Sequence, residues 1–359
     1  MTNKNENTGL SSPLGDRGIN ILMTGAGAPG AAGIINCLNQ EPSFHIVTAD
    51  ANPEAVGRWL SKDFELIPMA KSKEFIDVVI EVCRKRNIHV ILPLVTRELL
   101  PLAHHIKEIE LAGCRLISST AASLEIANNK SRLYEFLQNN GIAVPEFKNA
   151  KSINEFLDAL RLLGCPDKAV CFKPSVSNGS RGFRIISKNI NELDLLLNHK
   201  PDHIMISREQ ALRILSSGEF PELLVSEYLP GEEYSVDCLV KNGNPVLIVP
   251  RKRIRTINGI SVEGELVKNE KIISYCSRII EALQLHGNIG IQVKQAANGN
   301  FLILEINPRV QGTIAAALGA GVNLPVLVVK QELGLPISET EMEVKWGTKF
   351  SRYWSEVFY

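Results

Sequence analysis

Two apolar runs, NIGIQVKQAANG and FLILEINPRVQG, meet at Asn298-Gly299, and they constrain this chain more than any other stretch. Asn-Gly between alternating runs signals a two-residue type I′ hairpin, because both central residues of that turn need positive φ. Counting outward sets Ala297 opposite Asn300, Gln292 opposite Glu305 and Gly290 opposite Asn307. Side chains on a strand alternate in direction. The count therefore gathers Gln292, Glu305 and Asn307 on one face and turns Leu302, Leu304 and Ile306 to the other. A carboxylate and two amides are hard oxygen donors suited to Mg²⁺, which takes few protein ligands and fills its shell from phosphate and water. Arg309, just past the strand, suits a phosphoryl group. Taken alone, the same pattern also fits the solvated face of an ordinary hairpin.

The rest of the chain gives that hairpin its context. Residues 1–18 are polar, carry Gly, Ser and Pro without periodicity, and read as a disordered leader. From Ile19 onward, apolar strands alternate with helical patterns: INILMT, then AAGIINCLNQ, FHIVTAD, FIDVVIEVCRKRN, HVILPL, ELLPLAHHIKEIEL and CRLISS. That alternation predicts a doubly wound parallel sheet, whose loops at the carboxyl ends of the strands are where a ligand binds. Gly25-x-Gly27-x-x-Gly30 follows the first strand, and Asp50 closes the second. The spacing formally matches a dinucleotide fingerprint, so a nicotinamide-dependent oxidoreductase stands as one alternative; the glycines equally suit a tight turn against another small ligand.

Past residue 120 the pattern changes. LEIANNKSRLYEFLQNNG reads as one helix over 124–141, and SINEFLDALRLLG as another. AVCFKPSVSNGSRGFRIIS reads as strand, glycine-rich turn, strand; Lys173 ends the first strand, and the turn runs from Ser177 through Gly179, Ser180 and Arg181 to Gly182. Small and polar, the turn could fold its N–H groups over phosphates, although it lacks the closing Gly-Lys-Ser/Thr of a P-loop. LLVSEYL is a strand, and Asn242-Gly243 turns a hairpin in which Asp237 is expected opposite Ile248 and Glu233 opposite Lys252. Pro245 and Pro250 argue that the return strand lies at an edge or is bulged. Arg251, Arg253 and Arg255 then share one face, as a solvated strand or an anion-binding wall. The apolar run after residue 312 could serve a homodimer.

Basic and acidic residues balance at 39 each, which leaves no electrostatic footprint for nucleic acid or an anionic membrane. The seven cysteines show no C-x-x-C pair or metal-ligand spacing. With no signal-like N-terminus or membrane-length apolar run, the expectation is a cytoplasmic protein acting on small molecules.

Taken together, Lys130, FKP at 172–174, SNGSRG, EYLPGEEYSVD at 227–237, GIQVK and EINPR occur in an order that resembles the ATP-grasp superfamily. The resemblance spans about residues 19 to 335. It is strongest to stand-alone carboxylate-amine ligases similar to one synthetase unit of the carbamoyl-phosphate synthase large subunit. It implies an α/β fold: a Rossmann-like pre-ATP-grasp domain (19–120), an ATP-grasp domain (121–335) with a mobile lid near 145–222, and a C-terminal extension (336–359). By the same resemblance, Lys130 and Lys173 contact ATP phosphates, with Lys173 also near the adenine edge, and residues 177–182 cover the phosphates. Glu227, Tyr228 and Leu229 form the adenine hinge, and Glu233 takes the ribose. Gln292, Glu305 and Asn307 hold Mg²⁺, or Mn²⁺ in its place, and Arg309 steadies the transferred phosphoryl group. Arg251, Arg253, Arg255 and Arg309 are candidates for gripping an acceptor carboxylate. The implied reaction activates a carboxylate as an acylphosphate and joins it to an amine; carboxyphosphate or carbamate phosphorylation, and a non-catalytic ATP-binding module, are the alternatives. Thr96-Arg97-Glu98 departs from the acidic residue common at the fourth strand in related proteins, which leaves the acceptor site in the first domain open.

Overall fold

A computed structural model describes residues 18–177, 179, 181–188, 190–198 and 204–359. Apart from Gly18, the expected leader lies outside these residues, and so does Ser180. Three sheets follow one another along the chain. The first contains β1 (Ile19–Thr24), β2 (Phe44–Asp50), β3 (Asp63–Leu66), β4 (Val90–Pro93) and β5 (Arg115–Leu116). All are parallel, in the order β3-β2-β1-β4-β5. The order reverses between β1 and β4, so the loops after Thr24 and Pro93 flank a crevice at the carboxyl ends of the strands.

The second sheet contains β6 (Phe147–Ala150), β7 (Val170–Pro174), β8 (Arg184–Ile186), β9 (Met205–Ile206) and β10 (Leu223–Glu227), in the order β6-β10-β7-β8-β9. The third contains β11 (Glu233–Lys241), β12 (Asn244–Ile257), β13 (Ile260–Leu266), β14 (Gly287–Gln295), β15 (Phe301–Asn307) and β16 (Lys349–Ser351). Its order is β15-β14-β11-β12-β13-β16.

One core joins the first sheet to the third. Ile21, Met23, Ile34, Ile35 and Leu92 pack with Leu239, Val249 and the apolar run Ile314 to Val329. Most apolar side chains of that run are buried inside the chain. No single helix among the described residues is long and apolar enough to cross a membrane; the one pair passing jointly, Ile314–Ala320 with Leu324–Leu333, is bent by 99°. A second core packs helices Lys130–Asn139 and Glu270–Leu283 on the third sheet.

Two local features differ from the sequence expectation in ways that shape the site. The helix expected over 124–141 is two, Ala121–Ala127 and Lys130–Asn139. Asn129 breaks it: its side chain accepts from Arg132 N at 3.0 Å and caps the second helix, the role a short amide takes in preference to a helix interior. Lys130 thereby becomes the first residue of a helix, and its N–H donates to Ser175 O at 2.8 Å.

The β14–β15 hairpin is the second. Gly290 faces Asn307 and Gln292 faces Glu305, as counted from the sequence, yet Val293 faces Ile303 and Gln295 faces Phe301. The loop is one residue longer than a type I′ turn: Ala296 N donates to Asn300 O at 2.8 Å, with Gly299 left-handed at φ 84°. A bulge at Leu304 absorbs the odd residue, so two one-residue differences cancel before the polar pair. The parity of the intervening side chains does change. Ile303 and Ile306 enter the helix-facing core, while Leu302 and Leu304 pack instead with Leu229 and Ala296.

In the Asn242-Gly243 hairpin nothing cancels. A bulge at Val246 shifts the expected pairs by one, so Asp237 faces Val249, Ser235 faces Arg251 and Tyr234 faces Lys252. The strand is bulged, as its prolines require, but it is interior rather than an edge, covered by β13 from the second Asn-Gly turn at 258–259.

Candidate functional site

Three elements bring charge to the Leu304 bulge. Lys173, 8 % exposed on β7, donates from Nζ to Leu304 O at 2.7 Å and stands 5.6 Å from the ring centre of Tyr134. The bulge provides that carbonyl: with Leu304 left out of the ladder, its oxygen also lies 3.3 Å from the Tyr134 hydroxyl. Lys130, first in its helix, reaches 3.5 Å from Glu305 Oε2 and donates to Ser177 O at 2.6 Å. Burial presses the Lys173 amine down to about 8, against the opposing pull of Glu305. A desolvated ammonium whose hydrogen bonds are only partly met favours an added anion.

Glu305, Asn307 and Gln292 do come together. Gln292 is directly across from Glu305, and Asn307 Nδ2 lies 3.5 Å from Glu305 Oε1. No group of three or more His, Cys, Asp or Glu suited to a metal occurs among the described residues. One carboxylate and two amides fit a divalent cation that draws most of its ligands from phosphate, and fit poorly an ion held by protein alone. Arg309 is held by Thr96 Oγ1 at 3.1 Å and by Val310 O at 2.7 Å. Burial lowers its pKa, and Glu305 works against that shift.

Glu227 Oε1 accepts from Glu146 N at 2.9 Å, Tyr228 lies under Lys294 at 4.8 Å, and Leu229 is buried. Glu233 is paired with Arg253, whose Nη2 also donates to Gly259 O at 2.6 Å. Gly179 and Arg181 line the same cavity as Gln292, Glu305, Asn307 and Arg309, a space of about 650 Å³.

The arginine wall does not form as one surface. Arg251 is fully buried, bonded to Asp237 Oδ2 at 3.1 Å and to Thr313 Oγ1 at 2.7 Å, so it braces the loop after Arg309. Gln311 bonds the other oxygen of Asp237 at 3.1 Å and completes the brace. Arg255 lies beyond a register shift, largely exposed and paired with Glu263 at 2.7 Å, and does not line the cavity. Only Arg253 of the three reaches it.

The first sheet closes the cavity from the other side, through Ala28 to Gly30 and Leu94 to Arg97. Asp50 accepts from Gly27 N at 2.7 Å and from Asn52 N at 2.8 Å, so its carboxylate ties the glycine loop shut. A Cβ on Gly30 would lie 2.3 Å from Gly312 Cα. The close approach that Gly30 permits is to the chain's own backbone rather than a pyrophosphate, which removes the physical basis of the nicotinamide alternative. Sequence reasoning missed Thr96, Gln311 and Arg352 as cavity residues. No periodicity marks them; only the Thr96-Arg97-Glu98 run had been singled out, and that without a role.

Comparison with known proteins agrees with this architecture. Residues 21–117 match the family model "PylC-like, N-terminal domain", and residues 219–355 match "ATP-grasp in the biosynthetic pathway with Ter operon". The carbamoyl phosphate synthase large chain of Pseudothermotoga lettingae is 22% identical over 332 residues, covering 88% of this chain and 26% of its own length. The chain thus spans about a quarter of the length of that relative. Among solved structures, an ADP complex of N5-carboxyaminoimidazole ribonucleotide synthetase superposes with a TM-score of 0.67 at 15% identity, over 91% of this chain and 80% of the other. An L-amino acid ligase from Bacillus licheniformis gives 0.63 at 15%, over 91% and 78%. The fold and its motifs define an α/β ATP-grasp architecture behind a Rossmann-like domain. Residues 219–355 thus match an ATP-grasp model, and over most of its length the chain is similar to a segment of the carbamoyl phosphate synthase large chain.

Proposed function

We propose that the protein is a Mg²⁺- and ATP-dependent ligase that activates a carboxylate as an acylphosphate and joins it to an amine. The observation that carries this is the convergence of Lys130 and Lys173, from separate elements, on the bulge that precedes Glu305. In this reading the adenine lies by Leu229, Leu302 and Leu304, and Glu227, Tyr228 and Glu233 bound it and the ribose. Lys130 and Lys173 receive phosphate oxygens, while Ser177, Gly179, Arg181 and Gly182 cover them. Gln292, Glu305 and Asn307 would hold the cation, whose chemistry is to neutralise the triphosphate oxygens.

Phosphoryl transfer asks a protein mainly for positioning and charge. A substrate carboxylate oxygen attacks the γ-phosphorus, the bond to the β,γ-bridging oxygen breaks, and ADP leaves. Arg309, fixed by Thr96, orients the carboxylate against the phosphoryl group. The amine nitrogen then attacks the acyl carbon, phosphate leaves, and the nitrogen loses a proton. Exclusion of water by the two glycine-containing loops protects the acylphosphate from hydrolysis.

The test is acid- and amine-dependent ADP release. Glu305→Ala should lower kcat on the order of 10²–10³-fold while the melting temperature stays near that of the parent. Nucleotide binding without acid-dependent turnover across a broad panel of acids and amines would instead identify a non-catalytic ATP-binding module.

A further inference from the structure

The cavity's charge is lopsided. Among the described residues, five guanidinium groups line it, from Arg97, Arg181, Arg253, Arg309 and Arg352, against one carboxylate, that of Glu305. A metal-charged triphosphate brings its own counter-ions, so it does not account for the excess. Arg309 and Arg181 belong to the phosphoryl side in the reading above, and Arg253 is paired with Glu233. Arg97 and Arg352 have no such task. Arg97 is exposed in the first turn of helix Thr96–His104, and its side chain makes no hydrogen bond or ion pair among the described residues. Arg352 follows β16 from the far end of the chain; its Nη2 donates to Pro29 O at 3.2 Å, and among the described residues no carboxylate pairs with it.

The two arginines arrive by different routes. Thr96, next to Arg97, holds Arg309, which ties that end of the cavity to the reacting centre. Arg352 is placed by the pairing of β16 with β13 and by its own N–H donating to Val262 O at 2.7 Å. Bringing a C-terminal guanidinium across the sheet edge to the first-domain loop leaves a cation in a concave, partly enclosed site. There its field is focused and its planar fork can take an anion by two bonds.

We propose that the acceptor is an acid with at least two anionic groups: one carboxylate is activated beside Arg309, and a second anion, carboxylate or phosphoryl, is held by Arg97 and Arg352. This rests on the ligase reading and names its substrate class.

The experiment uses the full chain with Mg²⁺ and three acids on one carbon skeleton: butyrate, glutarate and 4-phosphonobutyrate. Hydroxylamine serves as the amine, so an acylphosphate is trapped as a hydroxamate with release of phosphate. In parallel, calorimetry measures binding of each acid to protein saturated with a non-hydrolysable ATP analogue. At least one dianionic acid should bind tenfold or more tightly than butyrate. In Arg97→Ala and Arg352→Ala that ratio should fall toward one, Arg352→Lys should retain part of it, and the nucleotide Kd should stay within twofold. Preference for glutarate or for 4-phosphonobutyrate then identifies the second anion. Equal binding of the three acids, no binding by any, or loss of nucleotide affinity in the two arginine variants overturns the assignment. Failure of the parent protein to bind the nucleotide at all would strike the ligase reading itself.

Discussion

Two glycine-containing loops face the same cavity, and glycine serves opposite purposes in them. Gly30, at the end of the first loop, has an ordinary backbone (φ −103°, ψ −6°) that any residue adopts, but a Cβ there would strike Gly312. Gly179, in the loop between β7 and β8, has φ +64°, while its nearest contact would be the far end of the Arg181 side chain at 3.4 Å. One glycine is required by its neighbour, the other by its own conformation. The first loop is tied down by Asp50 and packed against the third sheet. In the second, the space around Gly179 is bounded by the far end of a side chain, so the position is set by its own left-handed backbone.

The sharpest way to break this contrast is to add one methyl group to each loop. Gly30→Ala should cost about 3 kcal/mol or more, since backbone must move on both sides of the contact. Gly179→Ala should cost about 1 kcal/mol, the strain of a left-handed alanine. Urea denaturation of the pair checks this, and equal losses would erase the distinction.

Glu98 tests the rigid side through pH. It is 7 % exposed, and its Oε2 lies 2.5 Å from the hydroxyl of Thr24, the residue before Gly25. Burial raises its carboxyl to about 7, and the negative charge of Asp50 adds to the shift. Between about 4.5 and 7 the unfolded chain releases this proton while the folded chain keeps it. The contribution is therefore intact below the unfolded pKa and is lost as pH rises through the folded value, approaching ~2–3 kcal/mol by pH 8. Relative to Glu98→Gln, the parent should lose stability over that window; a pH-independent difference between the two would remove the buried acid from the account.

Arg181 tests the second loop through catalysis rather than stability. Arg181→Ala should reduce kcat about tenfold, equivalent to ~1.4 kcal/mol of transition-state stabilisation. The melting temperature should hold. A fall in stability without a change in kcat would make the second loop structural like the first.

Much of this was legible in order along the chain. The parallel sheet followed from alternating patterns, and the pairing of Glu305 with Gln292 followed from a turn dipeptide. That count reached the right pair by an incomplete route, because the longer loop and the Leu304 bulge offset each other. At Asn242-Gly243 a single bulge went uncompensated, and the Arg251 to Arg255 face dissolved into a buried brace, a cavity residue and a surface ion pair. Bulges are set by twist and packing against neighbouring strands, and strand alternation carries no record of them.

By itself, then, the sequence determined the residue types and their local order: alternation into strands, the amides and carboxylate on one hairpin face, glycines where turns needed them. Only the tertiary structure decided which charges meet. The Leu304 carbonyl that binds Lys173, the Ser177 carbonyl that Lys130 reaches, and the arrival of Arg352 beside Pro29 join residues 131, 47 and 323 positions apart, where no local periodicity reaches. Charge at a distance in sequence is placed by packing, and packing chose which arginines face the cavity.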